Sequence, residues 1–177
     1  MRIPVFLSAW EIDCCLPVPS VGDAVEWRLA WYDDPEHPAA FEIRWAAEAT
    51  LRLGGYESDH IGVESGLVIT RGPVAAWRRE PGAVPFRGAL LALAHGFVPA
   101  AVPPTRGRAG EVSLVIGTQR KTRDGHWEDV PDGWSTWPVT DGGSWTDWED
   151  YAALAGPLPH NHHRQPSGVV VHVDVAP

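Results

Sequence analysis

Alternation of apolar and polar side chains recurs along this chain, and it restricts the fold more than any other feature. Between residues 41 and 53 every odd position is apolar, whereas most even positions carry Glu, Arg or Thr. Shorter runs alternate in the same way at residues 25–31 and 169–175. A period of two is typical of a β-strand with one buried face. We therefore predict strands in all three runs, although alanines keep an amphipathic helix open for residues 41–53.

Turn and capping residues add a hairpin and one helix. Asp124-Gly125 predicts a hairpin that pairs residues 112–123 with 126–130, because a primed two-residue turn needs positive φ, which glycine adopts freely. Ser144, with Asp147 three residues later, resembles a capping box, and Gly156-Pro157 ends the apolar repeat that follows. Further strands are predicted at residues 3–11, 67–71, 74–79, 88–94 and 112–121.

Many short strands and a single short helix indicate a mainly β protein. The predicted architecture is one partly open small barrel, or two small barrel-like halves, with SH3-like features. In the second case, residues 1–105 form an N-terminal half and residues 106–177 a C-terminal β half with the helix; a single compact domain is the alternative. The segments 98–110 and 156–168 are rich in Pro and Gly and are predicted to be surface loops or a linker.

Charge is distributed unevenly along the sequence. Residues 1–70 carry 4 basic and 12 acidic residues, residues 71–123 carry 9 and 2, and residues 124–177 carry 1 and 9. The formal net charge of −9 therefore hides a cationic segment, residues 71–123, between two anionic ends. On a strand, neighbours such as Arg78 and Arg79 point to opposite faces, which argues against a single basic groove for nucleic acid. We predict instead that the cationic segment forms ion pairs with both ends.

The two cysteines, Cys14 and Cys15, are adjacent, and the ~3.8 Å between their Cα atoms is below the usual span of a disulfide, so an ordinary intrachain disulfide framework is not expected. This favours a reducing compartment. The apolar run at the N-terminus is short and meets Glu11 and Asp13, which disfavours a signal peptide. No stretch approaches the ~20 apolar residues of a membrane helix. The sequence therefore predicts a cytoplasmic protein that is not associated with a membrane.

A distinctive pattern near the N-terminus, W-x-x-x-C-C-x-P-x-x-x-V-G-D-x-V-x-W, runs from Trp10 to Trp27. It resembles the opening of a family of actinobacterial proteins grouped as a domain of unknown function. The segment 65–68 is similar to a Gly-Val strand start in the same family. This family has no assigned activity, so the resemblance implies no catalytic residue. The V-G-D-x-V-x-W part also recurs in SH3-like barrels, where the Gly-Asp turn is structural.

Aromatic and acidic residues are concentrated between residues 127 and 148. Flat rings stack on the C–H groups of a sugar or another small ligand, carboxylates accept from its hydroxyls, and the same rings suit a protein interface. The competing interpretation is that the rings anchor the core, because tryptophan is highly buried on average. The candidate ligand-binding residues are Trp127, Trp134, Trp137, Trp145 and Trp148.

Thiolates and imidazoles suggest a zinc site as a further hypothesis, provided that the fold brings them together. The cysteines lack Cys-x-x-Cys spacing, and the histidines lie in a predicted loop, so buried cysteines and a solvated loop are the competing interpretation. The candidate metal ligands are Cys14, Cys15, His160, His162 and His163.

Signature motifs of enzymes are absent from the sequence, including phosphate loops, nucleophile elbows, His-Glu-x-x-His and dinucleotide fingerprints. We therefore favour a non-enzymatic module without a cofactor, which binds a protein or a small molecule through the Trp-rich acidic surface. A metal- or thiol-dependent activity at the Cys/His site is the alternative. Nucleic-acid binding by the cationic segment is a weaker one.

Overall fold

The alternating runs form strands in the computed structural model, which describes residues 1–33, 43–45, 50–58, 62–79, 86–94, 97–140 and 142–176. Within these residues the chain forms two short helices, and its strands join in one sheet, so the mainly β prediction is confirmed. The helices are α1 (Ala9–Cys14) and α2 (Trp148–Leu154). The strands are β1 (Arg2–Ser8), β2 (Ala24–Trp27), β3 (Leu29–Tyr32), β4 (Ile43–Trp45), β5 (Thr50–Ser58), β6 (Gly62–Arg71), β7 (Val74–Arg78), β8 (Phe86–Ala92), β9 (Thr105–Lys121), β10 (Trp127–Val139) and β11 (His162–Asp174).

Strand order along the sheet is β10-β9-β11-β1-β8-β3-β7-β6-β5, with β2 paired to β9 and β4 paired to β8. Only Arg28 separates β2 from β3, yet two strands, β11 and β1, lie between their partners β9 and β8, so the sheet must curl. The end strands β10 and β5 are not paired with each other in the described part of the chain. The sheet is thus open and does not close into the expected barrel, and the SH3-like features stay a prediction.

Both faces of the sheet bury apolar side chains. The first face carries the main core cluster, to which Leu7, Leu29, Leu90, Leu114 and Val171 contribute fully buried side chains. The second face carries two smaller clusters, one around Phe6 and Val170 and one around Trp77. The middle of β11 is therefore apolar on both faces, as in other strands covered on two sides.

Four predicted segments differ from the structure. The run at residues 25–31 forms two strands, β2 and β3, because each part pairs with a different partner. The run at residues 41–53 is not one strand: β4 pairs with β8 and the start of β5 pairs with β6, whereas residues 41–42 and 46–49 lie outside the described residues. The predicted loops 98–110 and 156–168 contain the beginnings of β9 and β11.

Glycine explains part of the last difference. A Cβ at Gly107 would lie 2.5 Å from Cγ1 of Val173, so this glycine permits close approach of β9 and β11 and does not mark a turn. The predicted hairpin is present, since Lys121 pairs with Trp127, but its turn is longer than the two residues predicted. The Thr122 N–H donates to the His126 carbonyl at 2.7 Å, which leaves residues 123–125 in the turn, and Gly125 has a φ of 91°. Beyond residue 130, β10 continues to Val139 after an irregularity in register.

Two helices replace the single one predicted. The predicted helix is α2, but its N-cap Asp147 makes no side-chain capping bond, and Ser144 lies in a 3₁₀ turn, Gly142–Trp145. Helix α1 begins after Ser8, whose hydroxyl accepts a hydrogen bond from the Glu11 N–H at 3.3 Å. None of the helices in the described residues is long and apolar enough to cross a membrane.

The cationic segment does form ion pairs with both anionic ends, as predicted. Arg78 pairs with Asp33, Arg106 with Glu26, and Arg120 with Glu128. The hydrogen bond from Arg106 lowers the pKa of the Glu26 carboxyl below its ordinary value, and the same bond raises the pKa of Arg106. Strands from both sides of residue 105 are paired within the sheet, and the division into two halves stays a prediction.

Candidate functional site

A cavity of about 510 Å³ lies between α1 and the second face of the sheet; we name it the α1 cavity. Small-molecule sites commonly have volumes of roughly 300–1,000 Å³ and mostly apolar walls. Its walls come from α1, from β3 and β7 and the residues that follow them, and from β8 and the chain after it. This volume is adequate for a small organic ligand.

The floor of the α1 cavity is a row of three residues on neighbouring strands. Ala30 of β3 pairs with Trp77 of β7 on one side and with Leu91 of β8 on the other, so the three side chains share the second face. The central member of the row is the smallest, and it leaves a depression between the indole and the leucine. Trp77 is only 1% exposed, so the floor is fixed by packing.

Aromatic rings also line the mouth of the cavity. Trp10 of α1 is 56% exposed and Tyr32 at the end of β3 is 44% exposed, although both are large side chains. The ring of Trp10 meets that of Phe97 edge-on, with centroids 6.4 Å apart. Exposed aromatic rings gathered around a concave surface are typical of a binding site rather than of ordinary surface.

Glu11 is the most unusual polar group in the cavity wall. It is 1% exposed, and its Oε2 accepts a hydrogen bond from the Ala94 N–H at 3.1 Å. Its Oε1 has no hydrogen-bond partner in the part of the chain that the structure describes. A buried polar atom without a partner costs about 1–3 kcal/mol. An unpartnered buried atom of this kind calls for a partner such as an ordered water, an ion or a ligand, and proteins tolerate such costs at functional sites.

Asp33, the other acidic group of the wall, has its partners within the protein. Its two oxygens accept from Nε and Nη2 of Arg78 at 2.8 and 3.1 Å. The indole N–H of Trp31 donates to the same carboxylate at 2.9 Å. The charge of Asp33 is therefore balanced by a bidentate pair. Glu11 has no such cation among the described residues.

The five tryptophans predicted to bind a ligand do not form one surface. Trp134 packs against the second-face cluster around Phe6, whereas Trp137, Trp145 and Trp148 pack against the main core. Trp127 is exposed at the start of β10, where its ring lies 4.0 Å from that of His163, edge to face. Most of these rings thus serve the packing of the sheet, and ligand binding by them stays a prediction.

The candidate metal ligands are also separated. Cys14 and Cys15 form a disulfide with each other at the end of α1, which corrects the expectation that both sulfurs are unpaired, and both residues are exposed rather than buried. His160 precedes β11, and His162 and His163 are consecutive on that strand, so their side chains leave opposite faces. In the described residues no three His, Cys, Asp or Glu side chains are arranged to hold a metal ion. Zinc binding stays a prediction, and it requires the cysteines to be reduced.

Sequence reasoning missed the cavity, although one signal for it was present. Ser8 followed by Glu11 three residues later has the sequence of a capping box, and the Ser8 hydroxyl caps the helix that carries Trp10 and Glu11, although the Glu11 carboxyl group bonds the Ala94 N–H instead of the Ser8 N–H. The assignment of residues 3–11 to a strand concealed that motif. The bond between Glu11 and Ala94 joins residues that are far apart in sequence, so no local pattern predicts it.

Comparison with known proteins tests the family membership that the N-terminal pattern from Trp10 to Trp27 predicted. The chain has no significant match among the curated proteins or the solved structures, and an actinobacterial origin stays a prediction. That the pattern is characteristic of a family also stays a prediction, but the model of a family of unknown function, DUF6578, matches residues 1–175, and the chain therefore belongs to that family.

Proposed function

We propose that this protein is a binding module for a small organic molecule, and that the α1 cavity is its binding site. The observation that carries the proposal is Glu11, a buried carboxyl group in the cavity wall with one oxygen that lacks a hydrogen-bond partner in the described structure. A protein that used this region only for packing would gain stability from an apolar residue there.

The walls of the cavity support the same conclusion. Aromatic rings form much of its lining, and a few polar groups accompany them, which is the usual composition of a small-molecule site. The predicted binding function is thus retained, but its location moves from the segment 127–148 to α1 and the strands β3, β7 and β8. In that segment, Trp137, Trp145 and Trp148 already pack against the main core.

A cavity-filling variant tests this proposal. Ala30→Leu adds volume at the centre of the cavity floor, and Ala153→Leu on the exposed side of α2 is the matched control. Saturation-transfer difference NMR would be recorded with 2-phenylethanol and with 2-phenylethylammonium as probes. We expect a saturable signal for at least one probe with the unmodified protein and with Ala153→Leu, and about a fivefold or greater loss with Ala30→Leu.

Urea unfolding provides the control for folding, and we expect Ala30→Leu to keep the unfolding free energy within about 1.5 kcal/mol. The absence of a saturable signal for both probes would contradict the proposal. Equal signals from a folded Ala30→Leu protein would contradict the assignment of the site to the α1 cavity.

A further inference from the structure

We propose that the α1 cavity selects an organic ammonium ion attached to an apolar or aromatic body, with Glu11 as the acceptor for the ammonium group. This inference rests on the proposed function and adds the chemical class of the ligand.

The first argument is the hydrogen-bonding state of Glu11. Its Oε2 is occupied by the Ala94 N–H, and its Oε1 lacks a partner among the described residues. Carboxylate oxygens accept hydrogen bonds, so the group that completes Oε1 is a donor. A neutral donor would satisfy the oxygen and leave its charge unbalanced in a buried position, whereas an ammonium group satisfies both requirements.

The second argument is the balance of charge in the cavity wall. Asp33 is already paired with Arg78, so this acid and this base cancel each other. Arg79 also lines the cavity, but it is exposed, and solvent screens its charge more effectively than that of a buried group. Glu11 is therefore the carboxyl group of the cavity wall that has no ion-pair partner among the described residues.

The third argument is the aromatic lining. The face of an indole or phenol ring attracts a cation that lies within about 6 Å of its centre, and the same rings provide contact area for an apolar body. Trp77 lies in the floor of the cavity, and Trp10 and Tyr32 lie at its mouth. The Glu11 carboxyl group and the aromatic rings together favour an arylalkyl ammonium over a neutral or anionic compound of the same shape.

The test compares three probes with the same phenylalkyl body. Isothermal titration calorimetry would measure the dissociation constants of 2-phenylethylammonium, 2-phenylethanol and 3-phenylpropionate. The proteins are the unmodified chain, Glu11→Gln, and Glu111→Gln, which removes one exposed acidic charge on β9, outside the α1 cavity. For the unmodified protein and Glu111→Gln we expect the ammonium to bind about tenfold or more tightly than the alcohol, and the carboxylate to bind most weakly.

In Glu11→Gln we expect the ammonium and the alcohol to bind within about threefold of each other. Equal binding of these two probes to the unmodified protein, or a preference that survives Glu11→Gln, would overturn the assignment of the ligand class and leave the binding function intact. If no probe binds, the proposed function fails as well. If Glu11→Gln does not fold, the test is the ratio of the dissociation constants of the alcohol and the ammonium for the unmodified protein. A ratio near one overturns the inference.

Discussion

Removal of the Glu11 carboxyl group should stabilise the ligand-free protein. In Glu11→Met, loss of the unpartnered Oε1 relieves about 1–3 kcal/mol, and loss of the bond to Ala94 costs about 0.5–1.5 kcal/mol. Methionine has a similar length and a high helix propensity, so it fits α1. The expected net change therefore lies between a loss of about 0.5 kcal/mol and a gain of about 2.5 kcal/mol, with a midpoint at a gain of about 1 kcal/mol, whereas most substitutions at buried positions destabilise a protein by about 1 kcal/mol or more.

Urea unfolding measured by tryptophan fluorescence would test this expectation, with Glu111→Met as the control at an exposed position. At constant m-value, the midpoint for Glu11→Met should stay level or rise by up to about 1 M urea, and the control should change by no more than about 0.5 kcal/mol. A loss of more than about 1 kcal/mol in Glu11→Met alone would show that the carboxyl group stabilises the fold. The argument for a ligand at Oε1 would then be refuted.

Three further substitutions test other parts of the account. Asp33→Asn should lower the unfolding free energy by about 1–3 kcal/mol in urea titrations, because it removes the carboxylate that accepts from Nε and Nη2 of the buried Arg78; an unchanged midpoint would contradict this. Gly168→Ala should cost about 2 kcal/mol or more in the same assay, since its Cβ would collide with the backbone of β1, and a neutral result would show that β1 and β11 can separate. Arg106→Gln should raise the pKa of Glu26, measured by NMR titration, toward its ordinary value. Because the folded-state pKa of Glu26 is lowered, the pair with Arg106 stabilises the fold above the unfolded-state pKa of Glu26, and this stabilisation is lost as the pH falls through the folded-state pKa. The pH dependence of stability should therefore weaken in the variant. An unchanged Glu26 titration would contradict the pairing.

The strands themselves could be predicted from the sequence because alternation reports which face of a strand is buried. The run at residues 25–31 shows the limit of this reasoning. Its apolar positions lie in strands, but alternation does not identify partners, and the chain divides at Arg28 between β9 and β8. The curvature of the sheet depends on which strands pair, so the alternation of apolar and polar residues could not predict that the sheet is open.

The candidate site was less predictable than the strands, for a related reason. Tryptophans cluster in sequence between residues 127 and 148, but the structure separates them, because Trp134 and Trp137 are three residues apart on one strand and face opposite sides. The α1 cavity instead joins Glu11, Ala30 and Trp77, which come from separate elements. The short distance between adjacent Cα atoms argued against a disulfide, and this prediction was wrong, because Cys14 and Cys15 are bonded to each other.

The central claim is that the α1 cavity, with Glu11 in its wall, is the ligand site. Its most direct test is an amide and indole NMR titration of the isotope-labelled protein with 2-phenylethylammonium. The account predicts saturable shifts for the Ala94 amide, which is bonded to Glu11, and for the indole N–H groups in the cavity wall, those of Trp10, Trp31 and Trp77. Shifts confined to the indoles between residues 127 and 148, with the Ala94 amide unmoved, would contradict it.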